Sequence, residues 1–377
     1  MKLILFIGHH KAGSTALQAA LARNCRALLR HDVLYPAVDS SGLAMLAGFA
    51  SGRIGAMQRR TWPIPLNYRE GHNALAFRMW SPNGVPDIHL PLPGKDEIGR
   101  TITAQIEAFR PKTMVLAAEV FSNFGARGTD LIRELVGMFP QIDDIHVIAS
   151  LRRVDDYLVS WYGQRLKFGT ILKPLADTVP RHYQRGVHFD YRLMLEPWMT
   201  ALPEARFTIQ SYDEVLAQGG SVKNFFKLAG LKPPPPWQTS RRLNTSVHPG
   251  LIEFIRRANI QLSRQDARRF REIVSKIALN DALPPAKEIE MFGPVARAKM
   301  LRVFAPIHDW LSELTGRQAF FPDIDALGHC RAIPEHALWD RLKTQLLSRS
   351  ALREDTVLSP FLDGITFLPN IPNLSSE

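Results

Sequence analysis

The residues whose types and spacing could carry chemistry come almost at once: Gly8-His9-His10-Lys11-Ala12-Gly13-Ser14-Thr15. They follow an unbroken apolar run, residues 3–7, that reads as a buried parallel strand. They precede Leu17, Ala20, Leu21, Cys25 and Leu28 at helical spacing. A strand, a glycine loop and a helix start make an anion cradle, because the first helical turn offers unpaired N–H groups and a partial positive charge. A triphosphate loop of the GxxxxGK[ST] kind places its lysine directly after the second glycine, within reach of the β- and γ-phosphates. Here Gly8 and Gly13 have that separation, yet Ser14 fills the lysine slot and Lys11 lies inside the loop. The pattern is a phosphate loop, but not that of an ordinary ATPase.

Two further segments bring polar residues to strand ends. The run Thr113 to Ala118 reads as a strand ending on Glu119, and Asp144 to Leu151 as another ending on Arg152, with Ser160 eight residues on. In open parallel sheets ligands gather at the carboxyl ends of the strands, so both residues belong to the edge that carries the first loop. Glu119 there reads as a general base, as an acid that organises a metal, or as a helix-start salt-bridge partner. Arg152 suits a phosphate, because a guanidinium makes paired, charge-assisted bonds to it. Arg153 reads as a solvated charge at a helix start.

These two segments together resemble the sulfotransferases that use 3′-phosphoadenosine 5′-phosphosulfate (PAPS). Bacterial members carry a loop like G-x-H-K-x-G-[ST]-T and a second motif like R-[DN]-P-x-[DE]-x-x-x-S. Arg152, Asp156 and Ser160 match the second motif, whereas Arg153 and Val154 depart from it. The resemblance implies an α/β fold of three layers, α/β/α, with a central parallel sheet, like the P-loop nucleotide hydrolases. It also implies that Gly8, His9, Lys11, Ala12, Gly13, Ser14 and Thr15 surround the 5′-phosphosulfate, with Lys11 on the bridging and sulfuryl oxygens. Arg152 and Ser160 would grip the 3′-phosphate, and Arg241 or Arg242 would close over the adenosine. The base that takes the acceptor's proton would be Glu119 or, as second choice, His10, which alternatively orients the sulfuryl group. No metal is required, and the acceptor would be a carbohydrate or glycolipid hydroxyl, or an amine. Two other classes stand beside this one: an atypical P-loop kinase or nucleotide hydrolase that needs Mg²⁺, and a non-catalytic nucleotide- or glycan-binding protein.

The 377 residues carry a formal charge of +11 and 45% hydrophobic content, which describes a globular chain drawn to anions. The basic residues are scattered among acids and no nucleic-acid motif is present, so no specific nucleic-acid partner is expected. Cys25 and Cys330 stand far apart and in no metal-ligand spacing. The apolar start is too short for a signal peptide, and no stretch nears the ~20 apolar residues of a membrane span; a cytoplasmic protein is expected.

The elements that must position the site are further strands and helices. Helices are expected over 98–109, 131–138 and 221–229, and a strand over 205–214 that ends in Tyr212-Asp213-Glu214. A helical region follows Pro233–Pro236 up to Leu314. The expected organisation is one domain over 1–327 and a C-terminal extension over 328–377. Two irregular insertions interrupt the domain. Residues 33–100, rich in proline and glycine, are expected to bring Trp62, Tyr68, His72, Trp80 and His89 to the acceptor pocket. Residues 163–190 are rich in basic side chains (Arg165, Lys167, Lys173, Arg181, His182, Arg185, His188) suited to an acidic acceptor.

Overall fold

A computed structural model describes residues 1–53, 64–81, 84–235, 237, 246–276 and 283–367. The chain divides into two compact units, Met1–Arg152 with Tyr191–Asn244, and Arg153–Asp190 with Thr245–Glu377. This differs from the expected single domain over 1–327 with an extension beyond it.

The first unit holds a five-stranded, wholly parallel sheet: β1 (Lys2–Phe6), β2 (Val33–Leu34), β3 (Thr113–Ala117), β4 (Asp144–Leu151) and β5 (Arg206–Ser211), in the order β2-β3-β1-β4-β5. Leu3, Ile4 and Leu5, with Met114, Val115 and Leu116 beside them, are fully buried, as strands covered on both faces require. β1 pairs with β3 on one side and β4 on the other, so the connection reverses direction across the sheet at β1. Such a switch point opens a crevice at the carboxyl ends of the strands. The helices expected there form over Lys95–Phe109, Thr129–Gly137 and Ser221–Ala229, and the last ends at Gly230 with φ +68°.

The 33–100 segment is more ordered than its prolines suggest. It forms helices over Ser40–Ser51, Leu66–Arg69 and Gly71–Trp80. Tyr68, His72 and His89 are buried structural residues, which overturns their expected place on a pocket wall. His72 has no exposed surface; its Nδ1 accepts the Ala117 N–H at 3.0 Å and its Nε2 lies 3.2 Å from the Pro36 carbonyl. The ring supplies the hydrogen bond that the last residue of β3 lacks from a neighbouring strand. Trp80 carries the Arg127 guanidinium at 4.8 Å from its ring centroid, and Trp62 lies outside the described residues.

The second unit is mainly helical, with one short parallel pair, β6 (Ile289–Glu290) and β7 (Ile333–Pro334). Its helices include Val154–Lys167, Ile252–Gln261, Arg264–Lys276 and Gly293–Thr315. A buried ion network joins them. Asp155, fully buried, receives Arg153 Nε at 2.8 Å, Arg331 Nη2 at 2.9 Å and Arg297 Nη1 at 3.2 Å, and Arg297 Nε reaches Glu290 at 2.6 Å. Burial pushes the Asp155 carboxyl up, but Arg153, Arg331 and Arg297 outweigh it and hold the group well below the usual carboxylate range. Arg153 is thus a network member and not the solvated helix-start charge its position suggested. Arg331 places the region beyond residue 328 inside this unit's core. Among the described residues no helix is long and apolar enough to cross a membrane.

Burial lowers the His72 imidazole from 6.5 to about 3, so it stays neutral in the fold. The unfolded chain takes up that proton as pH falls below 6.5, and stability present above 6.5 is lost progressively toward 3. Replacing His72 with Gln, which hydrogen-bonds but does not titrate in this window, is expected to lower stability at neutral pH. It should also flatten the pH dependence of the unfolding midpoint, measured by denaturant titration. An unchanged slope would remove His72 from the acid response.

Candidate anion site at the carboxyl edge of the sheet

Residues 7–13 run from β1 into the helix Ser14–Arg23 as a tight loop pinned to β4. Ile7 N–H donates to Ile148 O and His9 N–H to Ser150 O, each at 3.0 Å. The loop closes on itself through Ala12 N–H to His9 O at 3.2 Å. Two residues adopt left-handed backbone, Gly13 at φ +86° and, without a glycine's freedom, Lys11 at φ +64°. Gly13 is the helix N-cap and brings no side-chain cap, so the first-turn N–H groups face the loop without a competing side chain of their own. A Cβ at Gly13 would stand 2.6 Å from Ser221 Cβ, where the helix Ser221–Ala229 begins. Glycine here allows a second helix start to press against the loop.

Glu119 sits at the start of a short 3₁₀ stretch, Glu119–Arg127, just beyond β3, and does face the loop as expected. Ser14 Oγ donates a short hydrogen bond to its Oε2, and His10 Nδ1 lies 3.1 Å from its Oε1. Burial pushes the carboxyl up, but His10, Ser14 and Lys11 together overcome this and hold it below its ordinary value. Glu119 is therefore an ionised carboxylate that orients His10. Gln18 ties the same helix to the end of β3, its Nε2 donating to Ala117 O at 2.8 Å.

Arg152 meets the loop from the other side of β1. Its Nη1 is 3.4 Å from the Lys11 carbonyl, and its guanidinium carbon lies 5.2 Å from the Tyr212 ring centroid. Its backbone carbonyl accepts Tyr191 Oη–H at 2.7 Å, and its N–H points to His9 Nδ1 at 3.5 Å. The His9 and Tyr191 rings pack edge to face at 4.4 Å. His9, 1% exposed, therefore braces Arg152 instead of lining the ligand space.

Other expected residues have their own surroundings. Ser160 belongs to the second unit, where its Oγ is 3.3 Å from Ser246 Oγ, and Asp156 there pairs with Arg331 at 2.6 Å. Strand β5 ends at Ser211, and Glu214 caps the next helix: Ser211 N–H donates to Glu214 Oε2 at 2.7 Å and Glu214 N–H to Ser211 Oγ at 3.2 Å. Glu214 is thus a capping residue, and the strand ends three residues short of the expected run to Glu214. Arg241 and Arg242 lie outside the described residues. Sequence reasoning missed Tyr191, Tyr212 and Ser221 as neighbours of the loop. Tyr212, the residue following β5, carried a positional signal; the other two carried none. It also missed Glu70, whose carboxyl burial raises and which stands close enough to Glu119 to feel its charge.

No family model matches this chain, and no solved structure does. A stretch of 156 residues is 27% identical to an uncharacterized protein of Archaeoglobus fulgidus and covers 41% of this chain. The match spans 40% of that protein's length.

Gly13→Ala is expected to destabilise the protein by about 1–3 kcal/mol, through the positive φ and the approach to Ser221. Adding Ser221→Gly should recover only part of the loss, because the backbone conformation stays strained. A thermal melt that leaves both variants at the wild-type midpoint would contradict this packing.

Proposed function

We propose that this protein is a PAPS-dependent sulfotransferase with a P-loop-like, three-layer α/β/α scaffold. The observation that supports this reading most is the approach of the Arg152 guanidinium to the Lys11 backbone carbonyl: an arginine from the end of β4 and the lysine-bearing loop, distant in sequence, meet at a helix N-terminus. One nucleotide with phosphates at both ends of its ribose is a ligand that would need both. The lysine stands inside the loop and not after its second glycine, which disfavours a triphosphate loop.

In this reading Lys11 and the N–H groups of Gly13, Ser14 and Thr15 hold the phosphosulfate and stabilise charge on the leaving 5′-phosphate. Gly8 and Ala12 shape the loop without side-chain chemistry. Arg152 holds the 3′-phosphate, and Ser160 is assigned to the same phosphate by the resemblance alone, as Arg241 and Arg242 are to the adenosine. A sulfuryl group carries one charge fewer than a phosphoryl group, so an ammonium suffices where a kinase needs Mg²⁺. His10 takes the acceptor's proton, because Glu119 is held too acidic to do so well and instead fixes the imidazole. The acceptor oxygen then bonds to sulfur as the bond between sulfur and the 5′-phosphate oxygen breaks, releasing 3′-phosphoadenosine 5′-phosphate. A carbohydrate or glycolipid hydroxyl is the proposed acceptor, and the cytoplasm the proposed location.

The expected outcome is a thermal shift with 3′-phosphoadenosine 5′-phosphate that exceeds those with adenosine 5′-phosphate and with ATP–Mg²⁺. Arg152→Ala should erase the preference for the 3′-phosphate. Lys11→Ala should lower transfer to a sugar panel, followed with radiolabelled donor, by about two to three powers of ten. Equal shifts with all three nucleotides would refute the assignment.

A further inference from the structure

The second unit carries a surface that the donor site does not use. The turn after the helix Val154–Lys167 presents Phe168 and Ile171 at 65% and 67% exposure, the two most open large apolar side chains among the described residues. Scattered apolar residues on a surface need no explanation, but these are neither scattered nor loosely held. Asn259 Nδ2 donates to Leu166 O at 2.9 Å and to Thr170 O at 3.1 Å, which fastens the helix Ile252–Gln261 to the turn. Ile260, the next residue, is 45% exposed. Tyr162 Oη–H caps the far side by donating to Lys173 O at 2.6 Å. The backbone is thus braced on both flanks while its apolar side chains stand in water.

The surroundings are cationic. Lys167 precedes Phe168, and Lys173, an exposed residue, follows Ile171 by two positions. The Arg271 guanidinium lies against the turn: a Cβ on Gly169 would be 3.1 Å from its Nη2. The neighbouring acid, Glu272, pairs with Arg268 at 3.0 Å, and the Arg271 Nη1 donates to Asn259 Oδ1.

We infer that this turn docks the protein on the surface of a bilayer with anionic headgroups. Phe168 and Ile171 would enter the boundary between headgroups and acyl chains, with Lys167, Lys173 and Arg271 near the lipid phosphates. Apolar burial and basic charge act together in reversible interfacial binding, and each alone is weak. A protein partner with an acidic rim is the competing occupant, and a braced apolar tip ringed by cations fits the planar, uniformly anionic surface better.

The test is co-sedimentation of the full chain with vesicles of phosphatidylcholine and phosphatidylserine, and with phosphatidylcholine alone. Binding is expected only to the anionic vesicles, and salt should weaken it. The double variant Phe168→Asp, Ile171→Asp should weaken it about tenfold or more with an unchanged thermal midpoint. The double variant Lys167→Glu, Lys173→Glu should abolish the preference for anionic lipid. Failure to sediment with anionic vesicles, equal binding to neutral ones, or wild-type binding by the aspartate variant would overturn the inference. So would a change in oligomeric state of that variant, seen by light scattering, without vesicle binding. None of these outcomes depends on the donor reading, which nucleotide binding tests separately.

Discussion

Lys2 of β1 stands level with Thr113 of β3 on one side and with Asp144 of β4 on the other; β1 and β3 end together at Phe6 and Ala117, and β4 runs on to Leu151 at the same edge. That parallel register is the constraint from which the site follows. It delivers the Gly8–Gly13 loop, Glu119 and Arg152 to a common crevice, although the chain between them is long and irregular. A parallel strand ending at an edge leaves its next backbone groups unpaired, and side chains complete them. His72 and Gln18 do so for Ala117, and Tyr191 does so for Arg152.

The charges at this edge are arranged so that anionic and cationic groups have different tasks. Glu119 accepts from Ser14 and stands beside His10, which holds its carboxyl below its ordinary value. Arg152 is held by its own backbone at one end and by the face of Tyr212 at the other, so its fork is oriented before any ligand arrives. Oriented charge of this kind needs no reorganisation when negative charge develops beside it. The positive φ at Lys11 belongs to the same economy, since strained backbone persists where surrounding structure over-determines it.

In the second unit the organising interaction is ionic. Asp155 gathers arginines from the helix start, from Gly293–Thr315 and from beyond β6, and each carboxylate oxygen and most guanidinium nitrogens find partners in that set. Removing one member of such a buried set leaves an uncompensated charge, a loss of about 3–5 kcal/mol, even where replacing the whole set by apolar residues would be neutral. The network explains why the segment after residue 328 cannot be an appendage.

Local pattern was enough for β1, β3, β4 and β5 and for the loop, but not for the two-residue strands β2, β6 and β7. A short, unbroken apolar run of aliphatic and aromatic residues bounded by a glycine fits a strand covered on both faces, and a glycine of left-handed φ before a helix can be read from its type and spacing. Glu119 and Arg152 could be placed at one edge because strand ends in a parallel sheet share that edge. Local pattern failed where the partner is remote. Prolines and glycines over 33–100 hid helices that are held by burial and not by propensity. His9, two residues before the lysine, was indistinguishable from a ligand until Tyr191 was seen against its ring. Arg153 looked solvated until Asp155 and Asp323 closed on it. The sequence by itself determined which segments form the main strands and where charge stands along them, because hydrophobic period and glycine conformation are local properties. Only the tertiary structure decided what each charge faces, because the energy of a buried polar group is set by partners that lie tens to hundreds of residues away.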